Sequence, residues 1–138
     1  MATRSYIGVK NTDGTVDYIY CHFDGYPEHN GEILTEHYAD MDKVNALMKL
    51  GDLSVLGIEI GEKHDFNDYA NRNRNWCLAY GRDRGEENTS VKTGDYSELI
   101  NDHDVDYVYI FDGEYWECFD TDNSLVLINL YNSVPAGT

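Results

Sequence analysis

Val105-Asp-Tyr-Val-Tyr-Ile-Phe-Asp-Gly-Glu-Tyr-Trp-Glu-Cys-Phe119 is the stretch that decides the fold. Val105, Tyr107, Tyr109 and Phe111 alternate with Asp106, Val108 and Ile110, which is the period of a β-strand. Asp112-Gly113 then signals a turn, because Asp-Gly tolerates positive φ, and the chain returns through Tyr115 to Phe119. The N-terminus carries a similar pattern. Residues 4–10 and 16–23 are strand-like and flank Asn11-Thr12-Asp13-Gly14. Ile7 and Val9 share one face. On the second strand Ile19, Cys21 and Phe23 share a face, while Tyr18, Tyr20 and His22 share the other.

Between these strand pairs the pattern turns helical. Asn30 is expected to cap a helix over residues 31–39. Asp40 or Asp42 caps the next, in which Met41, Val44, Leu47 and Met48 follow helical spacing until Gly51. Residues 62–75 and 81–93 read as polar loops around a short strand at 76–80, and residues 95–102 as a short helix. Leu125 to Tyr131 reads as a buried strand or a final helical turn, and residues 132–138 as a loose tail. No repeat or linker divides the chain, so residues 1–138 are expected to form a single domain. Its predicted class is α+β: a mostly antiparallel sheet built from an N-terminal and a C-terminal hairpin, with two or three helices packed on it.

The charge is one-sided. The chain has 138 residues, 26 acids against 10 bases and a formal net charge of -16. Residues 94–138 hold ten carboxylates and no Lys or Arg. Disorder is not the explanation, because 41% of residues are apolar and twelve Tyr, four Phe and two Trp can fill a core. A folded anionic surface attracts basic proteins and repels nucleic acid and anionic membranes. Cys21, Cys77 and Cys118 form no CxxC pair, and the opening residues are too polar for a targeting segment. A cytosolic protein with reduced thiols is expected.

The strings Thr3-Arg-Ser-Tyr-Ile-Gly-Val9, Asp13-Gly-Thr-Val16, Ile19-Tyr-Cys-His-Phe-Asp-Gly-Tyr-Pro27, Gly31-Glu-Ile-Leu34 and His37-Tyr38 resemble a family of small acidic proteins of tailed bacteriophages. Tyr80-Gly-Arg-Asp-Arg-Gly85 and the Tyr107 to Trp116 hairpin resemble it too. The resemblance spans most of the chain, and Cys21 to Pro27 is its most specific part. It implies a phage origin and a setting in the host cell cytoplasm. The family has no established activity, so no catalytic residue is carried over. Small accessory phage proteins often antagonise host defence, and that association belongs to the class of gene.

Four constellations could carry function. Cys21 and His22 would make a nucleophile and base, but adjacent strand residues point to opposite faces, so Cys21 reads as a buried, inert thiol. His37 completes the enzyme alternative. His22, His29 and His37, with Glu28, Glu32 and Glu36, are of the right type for zinc, but the gap between His29 and His37 fits one helix face only loosely. Asp102, Asp104 and Asp106 alternate without the glycine and glutamate of a calcium loop. No metal or cofactor is therefore expected. Arg72, Arg74, Arg82 and Arg84, with Trp76 and Tyr80 among them, suit a phosphorylated nucleotide, guanidinium on phosphate and ring on base. Their structural reading is pairing with neighbouring acids.

The acidic set is the fourth. Asp102, Asp104, Asp106, Asp112, Glu114, Glu117, Asp120 and Asp122 flank or lie on the C-terminal hairpin, and Asp104 and Asp106 are expected on one strand face. Carboxylates two strand residues apart are ~6.6–6.8 Å apart, close to successive phosphates of one nucleic-acid strand. Tyr107, Tyr109, Tyr115 and Trp116 are expected beside them as aromatic anchors. The function expected is non-enzymatic inhibition of a host defence or nucleic-acid-processing protein, such as a restriction or CRISPR nuclease complex. The acids would enter its basic groove. The alternative is sequestration of a signalling nucleotide. The expected partner is thus a basic host protein, not nucleic acid or membrane, with a homodimer left open.

Overall fold

The computed structural model describes residues 2–68, 70, 73–124 and 127–131. Arg72, Leu125, Val126 and the expected tail at 132–138 lie outside them. Among the described residues the fold is mixed α+β, with a mostly antiparallel open sheet of eight strands and four α-helices.

Strands β1 (Ser5–Lys10) and β2 (Thr15–Cys21) pair antiparallel. Asp13 Oδ1 closes their turn by accepting from the Thr15 N–H at 3.0 Å and the Thr15 hydroxyl at 2.6 Å. Gly14 supplies the positive φ of 89° that a β-carbon would oppose. Strands β6 (Tyr107–Phe111) and β7 (Trp116–Asp120) pair in the same way. There Asp112 Oδ1 accepts from the N–H groups of Glu114 and Tyr115, at 2.9 and 2.7 Å, and Gly113 takes φ 105°. The two pairs join through β1 and β6, which run parallel with Ser5 opposite Tyr107 and Val9 opposite Phe111.

The other edge of β2 is shared. Strand β5 (Lys92–Asp95) pairs with its first half, and β3 (Leu53–Val55) meets it at Cys21, with β4 (Leu78–Ala79) beyond. Strand β8 (Leu127–Ile128) follows β7. Residues 81–93 are thus not one polar loop. They hold most of α3 (Tyr80–Arg84) and the first residues of β5.

Helices α1 (Glu32–His37) and α2 (Met41–Leu50) cover one face of the sheet. The larger core lies there: Ile7, Ile19, Leu34, Val44, Leu47, Leu53 and Phe111 are fully buried. Asp40 caps α2 by accepting the Lys43 N–H at 2.9 Å. Asn30 does not cap α1. It is buried in a π-helical turn, Pro27–Gly31, and its amide donates to Ser5 Oγ at 3.2 Å and Cys21 Sγ at 3.5 Å. Inside the core that donor has to be satisfied locally. The opposite face holds a smaller core of Val16, Leu99, Val105, Val108 and Ile110, closed by α4 (Tyr96–Leu99). Alternate residues of β6 therefore feed different cores, and both faces of that strand are covered.

Three aromatic polar tips lock these layers. Tyr109 donates to the Gly25 carbonyl at 2.6 Å, Tyr38 to the Gly57 carbonyl at 2.7 Å, and Trp116 Nε1 to the Tyr38 carbonyl at 2.8 Å. Tyr109→Phe keeps the ring and strands the buried carbonyl. Denaturant unfolding should give a stability loss of about 1–3 kcal/mol with an unchanged m-value.

Candidate partner-binding surface

The C-terminal acids do not form one row. Val108, Ile110, Cys118 and Phe119 are buried, so the carboxylates collect at the two ends of the β6–β7 pair. Asp106, Asp120 and Asp122 mark the end where β6 begins, with Asp102 and Asp104 just before it. Asp112, Glu114 and Glu117 mark the turn end. The five residues of β6 span roughly 13 Å between them. Asp104 also shares no strand face with Asp106. It precedes β6 in a turn whose Asp104 N–H donates to Asp102 Oδ1 at 2.9 Å.

Most of these carboxylates also build structure. Asp102 accepts from the Tyr6 hydroxyl at 3.1 Å, and Asp106 from the Arg4 N–H at 3.0 Å. Asp120 accepts from the Asp122 N–H at 2.9 Å, and Glu117 from the Tyr96 hydroxyl at 2.8 Å. Lys10 stands 3.8 Å from Glu117, and His103 stands 3.2 Å from Asp122. These bonds fix where the charges stand while leaving Asp104, Asp106, Asp112, Glu114 and Asp122 exposed.

The expected aromatic anchors divide. Tyr109 and Trp116 are buried, because their face of the β6–β7 pair is covered by the larger core, and neither can reach a partner. Tyr115 is exposed, and Tyr107 is half-buried. Tyr107 lies in a cleft of about 410 Å³, lined also by Ala2, Thr3, Asp106, Asp120 and Asp122. Burial raises the Tyr107 phenol above its ordinary pKa, and the negative charge of Asp120 adds most after it, followed by smaller contributions from Cys118, Glu28 and Asp106. Glu28 therefore belongs to the same electrostatic neighbourhood, while Glu32 and Glu36 stand exposed on α1. The sequence reading missed Ala2 and Thr3. They reach the cleft only because β1 pairs with β6, and no local pattern reports that pairing.

The remaining constellations take structural places. Cys21 is buried, its thiol pushed up to about 12 by burial. His22 sits on the other face, its Nδ1 2.6 Å from the Tyr20 hydroxyl, with burial and then Arg4 lowering its pKa. His37 is half-buried at the end of α1. Among the described residues, no three His, Cys, Asp or Glu side chains gather as metal ligands.

Arg82 turns inward. Its guanidinium donates to Asp83 at 2.9 and 3.2 Å, to the Ile60 carbonyl at 2.8 Å and to the Cys77 carbonyl at 2.9 Å. Arg84 pairs with Glu86 at 2.7 Å and lies over the rings of Phe66 and Tyr80, 4.7 and 5.2 Å from their centroids. Trp76 packs against His64, and Arg74 is exposed. The phosphate grip expected of Arg82 is thus committed to a buried carboxylate.

Asp83 is the reason. Its side chain is fully buried and also accepts the N–H groups of Ala79 at 2.8 Å and His64 at 3.1 Å. Burial works to raise its pKa, but the bonds from Arg82 and these N–H groups, with the Arg82 charge, bring it below the usual value. A depressed folded pKa contributes stability that is complete above the ordinary carboxylate value, about 4, and is lost as pH falls through the folded value.

No protein-family model, curated protein or solved structure matches this chain. Asp83→Asn leaves the Arg82 guanidinium without its counter-charge. Urea unfolding at pH 7 should show a loss of about 3 kcal/mol, shrinking below about pH 4 as the wild-type carboxylate protonates.

Proposed function

We propose that this protein is a phage-encoded, non-enzymatic inhibitor acting in the host cytoplasm. It binds a host defence or nucleic-acid-processing protein through its acidic surface and occupies the groove that otherwise holds nucleic acid. One observation carries this reading: a cleft of about 410 Å³ with Asp106, Asp120 and Asp122 around the half-buried ring of Tyr107.

The chemistry of that cleft suits a lysine or arginine side chain. The carboxylates supply the counter-charge and the tyrosine supplies an apolar wall. Main-chain bonds to Asp106 and Asp120 set the spacing before any partner arrives, so little ordering is required on binding. Glu28 adds to the negative field around it. Charge of one sign over a cleft speeds the encounter with a basic groove and makes it sensitive to salt. The resemblance to tailed-phage proteins and the ten C-terminal carboxylates support the same assignment. Cys21, buried with a raised thiol pKa, is poorly suited to nucleophilic chemistry.

The test is affinity capture from host extract. The captured protein should be basic, released by duplex DNA, and lost between about 50 and 200 mM salt. The triple variant Asp106→Asn, Asp120→Asn, Asp122→Asn retains the main-chain acceptors and should bind at least about tenfold more weakly. A control pair, Asp42→Asn with Glu87→Gln, should bind like wild type. Undiminished capture by the triple variant would refute the mechanism.

A further inference from the structure

Beside the last strand of the sheet, three large apolar side chains stand in water together. Tyr115 is 56% exposed, Leu127 53% and Tyr131 41%. With Asp112 and Leu130 they line a second cleft, of about 460 Å³. The two tyrosine rings meet edge to face, centroids 5.6 Å apart and planes at 81°. Tyr131 is held at both ends: its hydroxyl accepts the Trp116 N–H at 2.9 Å, and its own N–H donates to Asn129 Oδ1 at 2.9 Å. A fixed aromatic corner left in solvent is costly for an isolated domain and marks a binding surface.

Two further observations define the occupant. Among the described residues β8 is terminal in the sheet order, and a terminal strand can template an added one. The charge around the cleft is negative. Both main-chain bonds to Asp112 land on Oδ1, and the Tyr115 N–H does most to hold its carboxyl below the usual range, so it is ionised at neutral pH. Glu114 is exposed on the same turn. Lys10 stands near this turn, and it is drawn to Glu117 and to the Tyr96 ring, 4.7 Å from its centroid. A second copy of this chain would bring the same acids against these, which disfavours self-association here.

We infer that this cleft docks an extended peptide segment carrying an arginine, the segment lying along β8 with the guanidinium between the Tyr115 ring and the Asp112 carboxylate. Arginine fits better than lysine because its flat, weakly hydrated head stacks on a ring while pairing with a carboxylate. The surface shares no lining residue with the Tyr107 cleft, and the inference stands whether or not that cleft binds anything.

The experiment is an NMR titration of isotope-labelled full-length protein, at about 0.15 M ionic strength, with acetyl-Thr-Val-Arg-Val-Thr-amide. Its counterpart carries citrulline in place of arginine. Shifts should concentrate in residues 112–116 and 127–131, and the citrulline peptide should bind about fivefold more weakly or worse. Tyr115→Ala, at an exposed side chain, should lower affinity by a similar factor, and Tyr115→Phe should restore it. The Asp106, Asp120, Asp122 triple variant should bind the peptide like wild type, which separates this result from the fate of the inhibitor proposal. The inference is overturned if millimolar peptide leaves residues 112–116 and 127–131 unshifted, or if both peptides bind equally. Shifts confined to Ala2, Thr3 and Tyr107 would overturn it too. So would a concentration-dependent dimer that Tyr115→Ala abolishes, which would make the occupant a second copy.

Discussion

The parallel pairing of β1 with β6 is the joint on which the molecule depends. Each antiparallel strand pair carries its own turn and could form locally, but neither can bury both of its faces alone. Joined, they place Ile7, Ile19, Tyr109 and Phe111 under α1 and α2, and Val16, Val108 and Ile110 under α4. Arg4 and Asp106, 102 residues apart, meet at this seam through the Arg4 N–H and the Asp106 carboxylate. The Tyr107 cleft straddles the same seam, with Ala2 and Thr3 on one side and Asp106, Asp120 and Asp122 on the other. A non-local contact thus creates the candidate site as well as the core.

The excess of carboxylates has two roles that the structure keeps together. Asp13, Asp40, Asp95, Asp112 and Asp120 accept main-chain N–H groups at turns and helix starts. Such bonds hold each carboxylate in place. The surface is therefore patterned by local backbone needs, and the acids fall at element ends rather than along strand faces. Self-repulsion remains, so stability should rise with salt. Arg82, Arg84 and Lys92 do not relieve the C-terminal surface, because Asp83, Glu86 and Asp52 engage them nearer home.

Much of the local structure was legible in the sequence. Asn11 to Gly14 and Asp112-Gly113 announced both turns, strand parity separated Cys21 from His22, and helical spacing with Asp40 and Gly51 located α2. What was not legible depends on distant partners. Lys92–Asp95 is poor in strand formers, and it is a strand because the edge of β2 is available to it. Alternation placed Tyr109 on a face with Tyr107 and Phe111 but could not say that helices cover that face. Asp83 lies between two arginines and looks like a solvated charge, yet it is the buried acceptor that turns Arg82 inward. The division of the acids into two end clusters follows from the burial of Val108, Ile110 and Cys118, which periodicity alone cannot report.

The most direct measurement is native-state hydrogen exchange along β1 and β6. If their pairing is the joint, the bonded amides of Ser5–Lys10 and Tyr107–Phe111 will exchange with one common free energy, equal to that of global unfolding. If the β6–β7 pair instead opens at lower cost while β1 and β2 stay protected, the two halves are independent. The seam would then not organise the core or the cleft that straddles it.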